Sequence, residues 1–137
     1  MLEVFKHKKD PSFYYTRFSN RVLAEDAHQN WAFFLKHTVN INEIKYITEH
    51  TASANLVEKE FIAYMGEYAL KFQDKIISSD VFGIKGYRKL FFKTFQALSK
   101  TKFKRKLFEN LSEIEQHHQF NFKNDFEKIF EFNNPDL

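Results

Sequence analysis

An all-α fold, five or six helices packed in a compact array around a central helix at residues 54–78, is what this sequence predicts, and three observations predict it. Apolar residues recur at i, i+4, i+7 and i+11 most clearly between residues 54 and 78, where Val57, Phe61, Tyr64, Tyr68, Phe72 and Ile76 form one stripe. Helix-compatible spacings of three and four recur in the remaining segments. Only three glycines and two prolines occur in 137 residues, too few for a turn-dense β-sandwich or barrel.

Asp10-Pro11 reads as an N-cap followed by proline in the first helical turn. From there to about Thr38 the pattern is helical with two apolar sides. Tyr14, Tyr15, Phe18 and Val22 share one; Leu23, Ala27, Trp31, Phe34, Leu35 and Thr38 share another, about half a turn round. One long helix with contacts on two sides accounts for both. Asn40 and Glu43 resemble a capping pair, and Ile41, Ile44 and Ile47 repeat every three residues, which predicts a short helix to His50. Thr51 to Ser53 supplies a break before the central helix, and Ser78-Ser79-Asp80 ends it. Gly83 and Gly86 flank a turn. A basic helix is predicted from about Tyr87 to Ser99, with Tyr87, Leu90, Phe91, Phe95 and Leu98 inward. Another runs roughly from Lys102 to His118, carrying Phe103, Leu107, Leu111 and Ile114 inward. A last short helix carries Phe122, Phe126, Ile129 and Phe130, and Asn133-Asn134-Pro135 stops it.

A length of 137 residues and a mass of 16.5 kDa suit one domain, taken here as residues 1–137. Cysteine is absent, which excludes disulfides, thiolate metal sites and a cysteine nucleophile. The first ten residues lack the apolar run of a signal peptide, and the longest apolar neighbourhood, Phe61 to Leu70, is interrupted by Gly66 and Glu67. A cytoplasmic protein with no membrane partner is the expectation.

Charge is unevenly placed. The net charge is +3, yet residues 85–108 hold nine basic residues and no acid, while residues 109–137 hold seven acids and two lysines. Such a basic block steers polyanions, or pairs with the acidic stretch that follows it. At its start, Gly83-Ile84-Lys85-Gly86 opens a helix beginning Tyr87-Arg88-Lys89, an arrangement in which backbone approaches a phosphate closely at a helix N-terminus. The loop is similar to the Gly-x-x-Gly loop with which KH domains clamp nucleic-acid backbone, a likeness confined to four residues. The candidate phosphate or nucleic-acid residues are Gly83, Lys85, Gly86, Arg88, Lys89, Phe92 and Lys93, with Lys102, Lys104, Arg105 and Lys106 continuing the run. Phe92 falls on the basic side, where a ring could stack a base.

Two Glu-x-x-His steps, Glu25 to His28 and Glu115 to His118, put a carboxylate and an imidazole on one helix face, as di-iron bundles require. These four are the metal-ligating candidates; polar surface pairs produce the same spacing, and no metal or other cofactor is assigned. Arg21 and His28, seven positions apart, resemble the Arg and His that HEPN-type ribonucleases carry on one helix, which would imply RNA cleavage. The polar residue that usually follows the Arg is replaced by Val22. Hydrolase elbows, P-loops, zinc helices and dinucleotide fingerprints are missing, so no catalytic residue is assigned.

Phenylalanine is the outlier, with 18 residues beside six tyrosines and one tryptophan. Most fill helix interfaces. Phe33, Phe82, Phe92 and Phe132 fall outside the helical stripes, and Tyr14 and Trp31 could join them as anchors for a partner. The leading functional expectation is therefore a non-enzymatic protein-binding module of the inhibitor, immunity, antitoxin or assembly-subunit kind. It would act through Tyr14, Trp31, Phe33, Phe82 and Phe132. Homodimerisation through an uncovered helix face satisfies the same pattern. Nucleic-acid binding by the basic face of residues 85–106 is the alternative, and a metal-dependent or HEPN-like RNA-cleaving enzyme is the third reading.

Overall fold

The computed structural model describes residues 1–54, 56–86, 89, 93, 100–103 and 105–134. The chain is α/β, which overturns the all-α expectation. In chain order the strands are β1 (Leu2–His7), β2 (Phe13–Phe18), β3 (Arg21–Val22), β4 (Ile44–His50), β5 (Leu56–Val57), β6 (Ile76–Phe82), β7 (Arg105–Phe108) and β8 (Phe126–Phe132). The helices whose bounds fall among the described residues are α1 (Ala24–His37), α2 (Lys59–Phe72), α3 (Leu111–His118) and the single turn α4 (Phe122–Asp125).

Six strands form one mixed sheet in the order β7-β6-β4-β2-β1-β8, and β3 pairs with β5 in a separate two-stranded ribbon. β2, β4, β6 and β7 are mutually parallel, while β1 is antiparallel to both β2 and β8. The parallel strands progress in one direction across the sheet. Successive right-handed crossovers therefore lay α1 and α2 on the same face. There Tyr14, Phe18 and Ile44 meet Ala27, Phe33, Phe34, Phe61 and Phe72. The return from β7 to β8 joins opposite edges and crosses the other face, where α3 and α4 cover Phe5, Phe13, Tyr15, Ile47 and Phe82.

Burial on both faces explains why the strands read as helices. In a sheet covered on both sides, strands are nearly continuous apolar runs, with no alternation to betray them. A spacing of four is moreover even, so Tyr14 and Phe18 share a strand face as readily as a helix face. Residues 13–18, expected inside a long helix, are instead the buried strand β2, and Asn20 at φ 60° turns the chain before β3 and α1. Residues 44–50, expected as a short helix, are β4. Its Ile44 and Ile47, three apart, bury on opposite faces at 2% and 0% exposure.

The central helix expected at 54–78 is α2 at Lys59–Phe72. Leu56–Val57 before it are strand, and Ile76, which prolongs the apolar stripe, pairs with Ile44 in the sheet. The helix expected at 102–118 divides into β7 and α3, and Asn110 caps α3 by accepting from the Glu113 amide at 3.0 Å. The last helix resolves into α4 and β8. Val4 pairs with Phe130 and Phe5 with Lys128, so Ile129 is bulged out and reverses the alternation. Phe126 then packs on the α3 face and Phe130 on the α1 face. The basic helix expected at 87–99 lies outside the described residues apart from Lys89 and Lys93.

Candidate functional site: an apolar cavity with a polar row

A cavity of about 400 Å³ lies on the α1/α2 face, between those helices and strands β4, β6 and β7. Its walls are largely apolar: Trp31 and Phe34 from α1, Phe61, Ile62, Met65, Tyr68 and Phe72 from α2, and Ile44, Ile76 and Val81 from the sheet. Trp31 stacks on Tyr68 with centroids 4.7 Å apart and 8° between planes, and meets Phe72 edge-on, which fixes the α1–α2 wall.

Part of the polar lining comes from one level of the sheet, while Thr48 and His50 of β4 and Lys59 of α2 line the wall elsewhere. Tyr14 pairs with Tyr46, Tyr46 with Ser79, and Ser79 with Arg105, so one row crosses β2, β4, β6 and β7. Tyr46, Ser79 and Arg105 of that row border the cavity. Asn30 of α1 joins them, its Nδ2 donating to the Tyr46 hydroxyl at 3.1 Å, while Thr16 Oγ1 donates to Asn30 Oδ1 at 3.3 Å. Burial raises the Tyr46 hydroxyl pKa above the ordinary tyrosine value, opposed by hydrogen bonds with Thr16, Asn30 and Thr48 and by the Arg105 charge. Burial likewise lowers the Arg105 guanidinium below its ordinary value, with Tyr46 acting in the opposite sense. A guanidinium nevertheless stays protonated throughout the ordinary pH range.

The other face holds two partly buried polar clusters. Glu49 accepts from the Tyr15 hydroxyl at 2.6 Å and from Arg17 Nε at 2.8 Å, and the Arg17 guanidinium lies 5.0 Å from the Phe5 ring centroid and 5.1 Å from that of Phe122. Burial and then the Glu49 charge push the Tyr15 hydroxyl far above the ordinary tyrosine range. Asp80 on β6, 4% exposed, is hydrogen-bonded to His118 Nε2 at the end of α3. Both clusters tie strands to neighbouring elements.

The residues singled out in the sequence are dispersed. Gly83 (φ 90°) ends β6 against the backbone of His50, with no room for a side chain, so its glycine serves the sheet. Gly86 (φ 65°) is exposed with open space around it, and Lys85, Lys93 and Lys106 are exposed. Lys89 pairs with Glu109 at 2.6 Å and Lys102 with Asp74 at 2.7 Å, so part of the basic block meets acids of the same chain. Arg105 borders the cavity instead of joining a basic face. Arg88, Phe92 and Lys104 lie outside the described residues.

Of the aromatic candidates, Tyr14, Phe33 and Phe82 are buried in the two cores, while Trp31 and Phe132 are half-buried. Glu25 and His28 sit on α1 and Glu115 and His118 on α3, on opposite faces of the sheet, so the two Glu-x-x-His steps do not converge. His28 is hydrogen-bonded to the Tyr68 hydroxyl, and Glu115 accepts from the Phe122 amide at 2.8 Å. No cluster of three or more potential metal ligands occurs among the described residues. Arg21 belongs to β3 and His28 to α1, so the one-helix arrangement of HEPN ribonucleases is not formed.

Tyr46, Ser79 and Asn30 carry no signal in the sequence, and Arg105, expected on the basic face, borders the cavity. Their common level appears only when strands β4, β6 and β7 are aligned, since they are separated by more than twenty residues in sequence.

Fold and cavity together define an α/β protein with a two-sided sheet and a ligand-sized cavity under its first two helices. No family model, curated protein or solved structure matches the chain. Among the described residues no helix is long and apolar enough to cross a membrane.

Proposed function

We propose that this chain is a non-enzymatic binding protein whose ligand is an apolar small molecule held in the cavity between α1, α2 and the sheet. The observation that carries this reading is the cavity itself: about 400 Å³, walled mainly by aromatic and aliphatic side chains, with a few polar groups among them, three of which share one level of the sheet. Ligand sites of small-molecule binders have this size and this division between apolar wall and localised polar groups. The polar side chains of that level, with Asn30, are hydroxyl, amide and guanidinium groups, suited to orienting a ligand by hydrogen bonds. The reading keeps the protein in the binding class expected from its sequence. It changes the partner from a protein to a small molecule, because three of the five aromatic anchors expected on a surface are in the core.

The test uses a neutral fluorescent probe, N-phenyl-1-naphthylamine, titrated with the full chain. Saturable enhancement in the wild type, abolished in Met65→Trp with melting preserved, supports the reading. A linear, non-saturating response, or saturation unchanged by Met65→Trp, overturns it.

Polyanion binding is the second reading, favoured by the exposure of Lys85, Lys93, Lys100 and Lys106 within one acid-free stretch of sequence.

A further inference from the structure

We infer that the cavity's ligand is a neutral aromatic alcohol, its ring set among the aromatic walls and its hydroxyl hydrogen-bonded to Ser79; this rests on the cavity being the binding site. Among the buried polar side chains of the lining, Ser79 stands apart.

The others are engaged within the chain. Asn30 donates to the Tyr46 hydroxyl and accepts from Thr16, and Thr48 is hydrogen-bonded with Tyr46. His50 packs its ring against Phe18 and Phe61, and the Arg105 guanidinium lies 5.6 Å from the Phe103 ring centroid. Both make further contacts within the chain. Lys59, in the first turn of α2, is exposed and meets water. Ser79 is 5% exposed and borders the cavity, yet its hydroxyl makes no hydrogen bond among the described residues. Its neighbour Asp80 reaches His118 on the α3 face, so the alternation of β6 aims Ser79 into the cavity.

A buried hydroxyl without a partner is costly, and a ligand group that bonds to it offsets that cost. A serine hydroxyl both donates and accepts, so a ligand hydroxyl, with the same double capacity, pairs with it in either direction. Neutrality follows from the rest of the lining. An anion would leave water for a wall whose Arg105 is already engaged and whose Lys59 is exposed, and a neutral group costs less to desolvate. The aromatic body follows from Trp31, Phe34, Phe61, Phe72 and Phe103, which line the same cavity. Rings packed edge-to-face or offset on other rings gain more than their buried area alone, a gain an alkyl chain forgoes.

The experiment displaces bound N-phenyl-1-naphthylamine from the full chain at pH 7 with 4-butylphenol, with 4-butyltoluene, in which a methyl replaces the hydroxyl, and with 4-butylbenzoate. Ser79→Ala should raise the 4-butylphenol concentration needed by at least about three-fold, the effect of one hydrogen bond, and leave 4-butyltoluene unchanged or tighter. Ser79→Thr, which keeps the hydroxyl, should retain the wild-type ratio of phenol to toluene. Ser79→Ala should also melt no earlier than wild type, since no hydrogen bond within the protein is lost. A smaller shift for 4-butylphenol, an equal shift for 4-butyltoluene, or early melting of Ser79→Ala overturns the Ser79 assignment. Displacement by 4-butylbenzoate at a lower concentration than 4-butylphenol overturns the neutral class. Each of these leaves the cavity reading standing. Failure of the probe and of all three ligands to bind overturns the cavity reading, and this inference with it.

Discussion

Replacing Gly83 by alanine sets a side chain against the sheet itself. Gly83 follows the last residue of β6 at φ 90°, and an added Cβ would overlap the His50 carbonyl oxygen and lie 2.9 Å from its carbon and 3.3 Å from the His50 amide nitrogen. All three obstacles are backbone atoms, belonging to the strand that β6 pairs with, so no rotamer relieves them. Holding a non-glycine residue in this region of φ costs about 1–3 kcal/mol, and forcing backbone aside costs a similar amount, together about 2–6 kcal/mol. Gly86, at φ 65° with nothing near its Cβ, pays the conformational term alone, about 1–2 kcal/mol. Urea unfolding followed by far-UV circular dichroism separates the two. With a slope of about 2 kcal/mol per molar, the Gly83→Ala midpoint falls by roughly 2 M and that of Gly86→Ala by less than 1 M. The comparison also discriminates between two roles for the Gly-x-x-Gly loop. If its glycines exist for phosphate approach, both alanine variants fold almost equally well. A Gly83→Ala protein as stable as Gly86→Ala would refute the argument from the His50 contact.

Three further outcomes follow from named contacts. Burial pushes the Asp10 carboxyl up, but hydrogen bonds from Lys45 Nζ at 2.7 Å and from Ser12 outweigh it and hold the group at about 2, below its ordinary 3.8. Its contribution is complete above about pH 4 and disappears as pH falls through about 2. Asp10→Asn should therefore cost about 1 kcal/mol near neutrality, allowing for the exposure of the pair, and flatten the acid limb of a melting-temperature profile. His118→Ala leaves the Asp80 carboxylate buried without its imidazole partner and should cost about 3 kcal/mol in urea unfolding, with His118→Gln recovering more than half. For polyanion binding, affinity for short RNA or DNA should fall steeply with salt and vanish in Lys85→Glu combined with Lys106→Glu. Absence of binding at low salt would end that reading.

The amino-acid sequence by itself determined several things. It fixed a chain with no cysteine chemistry, the local charge imbalance, and the helical character of α2, whose stripe of Phe61, Tyr64, Tyr68 and Phe72 spans most of the observed helix. It also located breaks near Thr51 to Ser53 and Gly83, where the structure has non-helical, non-strand connections. The strands were not legible, and β2 shows why. Phe13, Tyr14, Tyr15, Thr16 and Phe18 are all buried, because helices cover both faces of the sheet, so the alternation that marks a strand is erased. What survives is an even spacing that strand and helix share. At β8 the bulge at Ile129 removes even that regularity, sending Phe126 and Phe130 to opposite faces.

Only tertiary structure decided where the polar residues gather. Arg105 reads in sequence as one member of the run Lys104-Arg105-Lys106, since neighbours along a chain carry no record of which way each side chain turns. Pairing β7 beside β6 alternates Arg105 and Lys106 between the two faces, and sets Arg105 level with Ser79 and Tyr46 at the cavity while Lys106 is exposed. Register is a relation between strands, fixed when the hydrophobic faces of β4, β6 and β7 are buried together, and no single segment contains it.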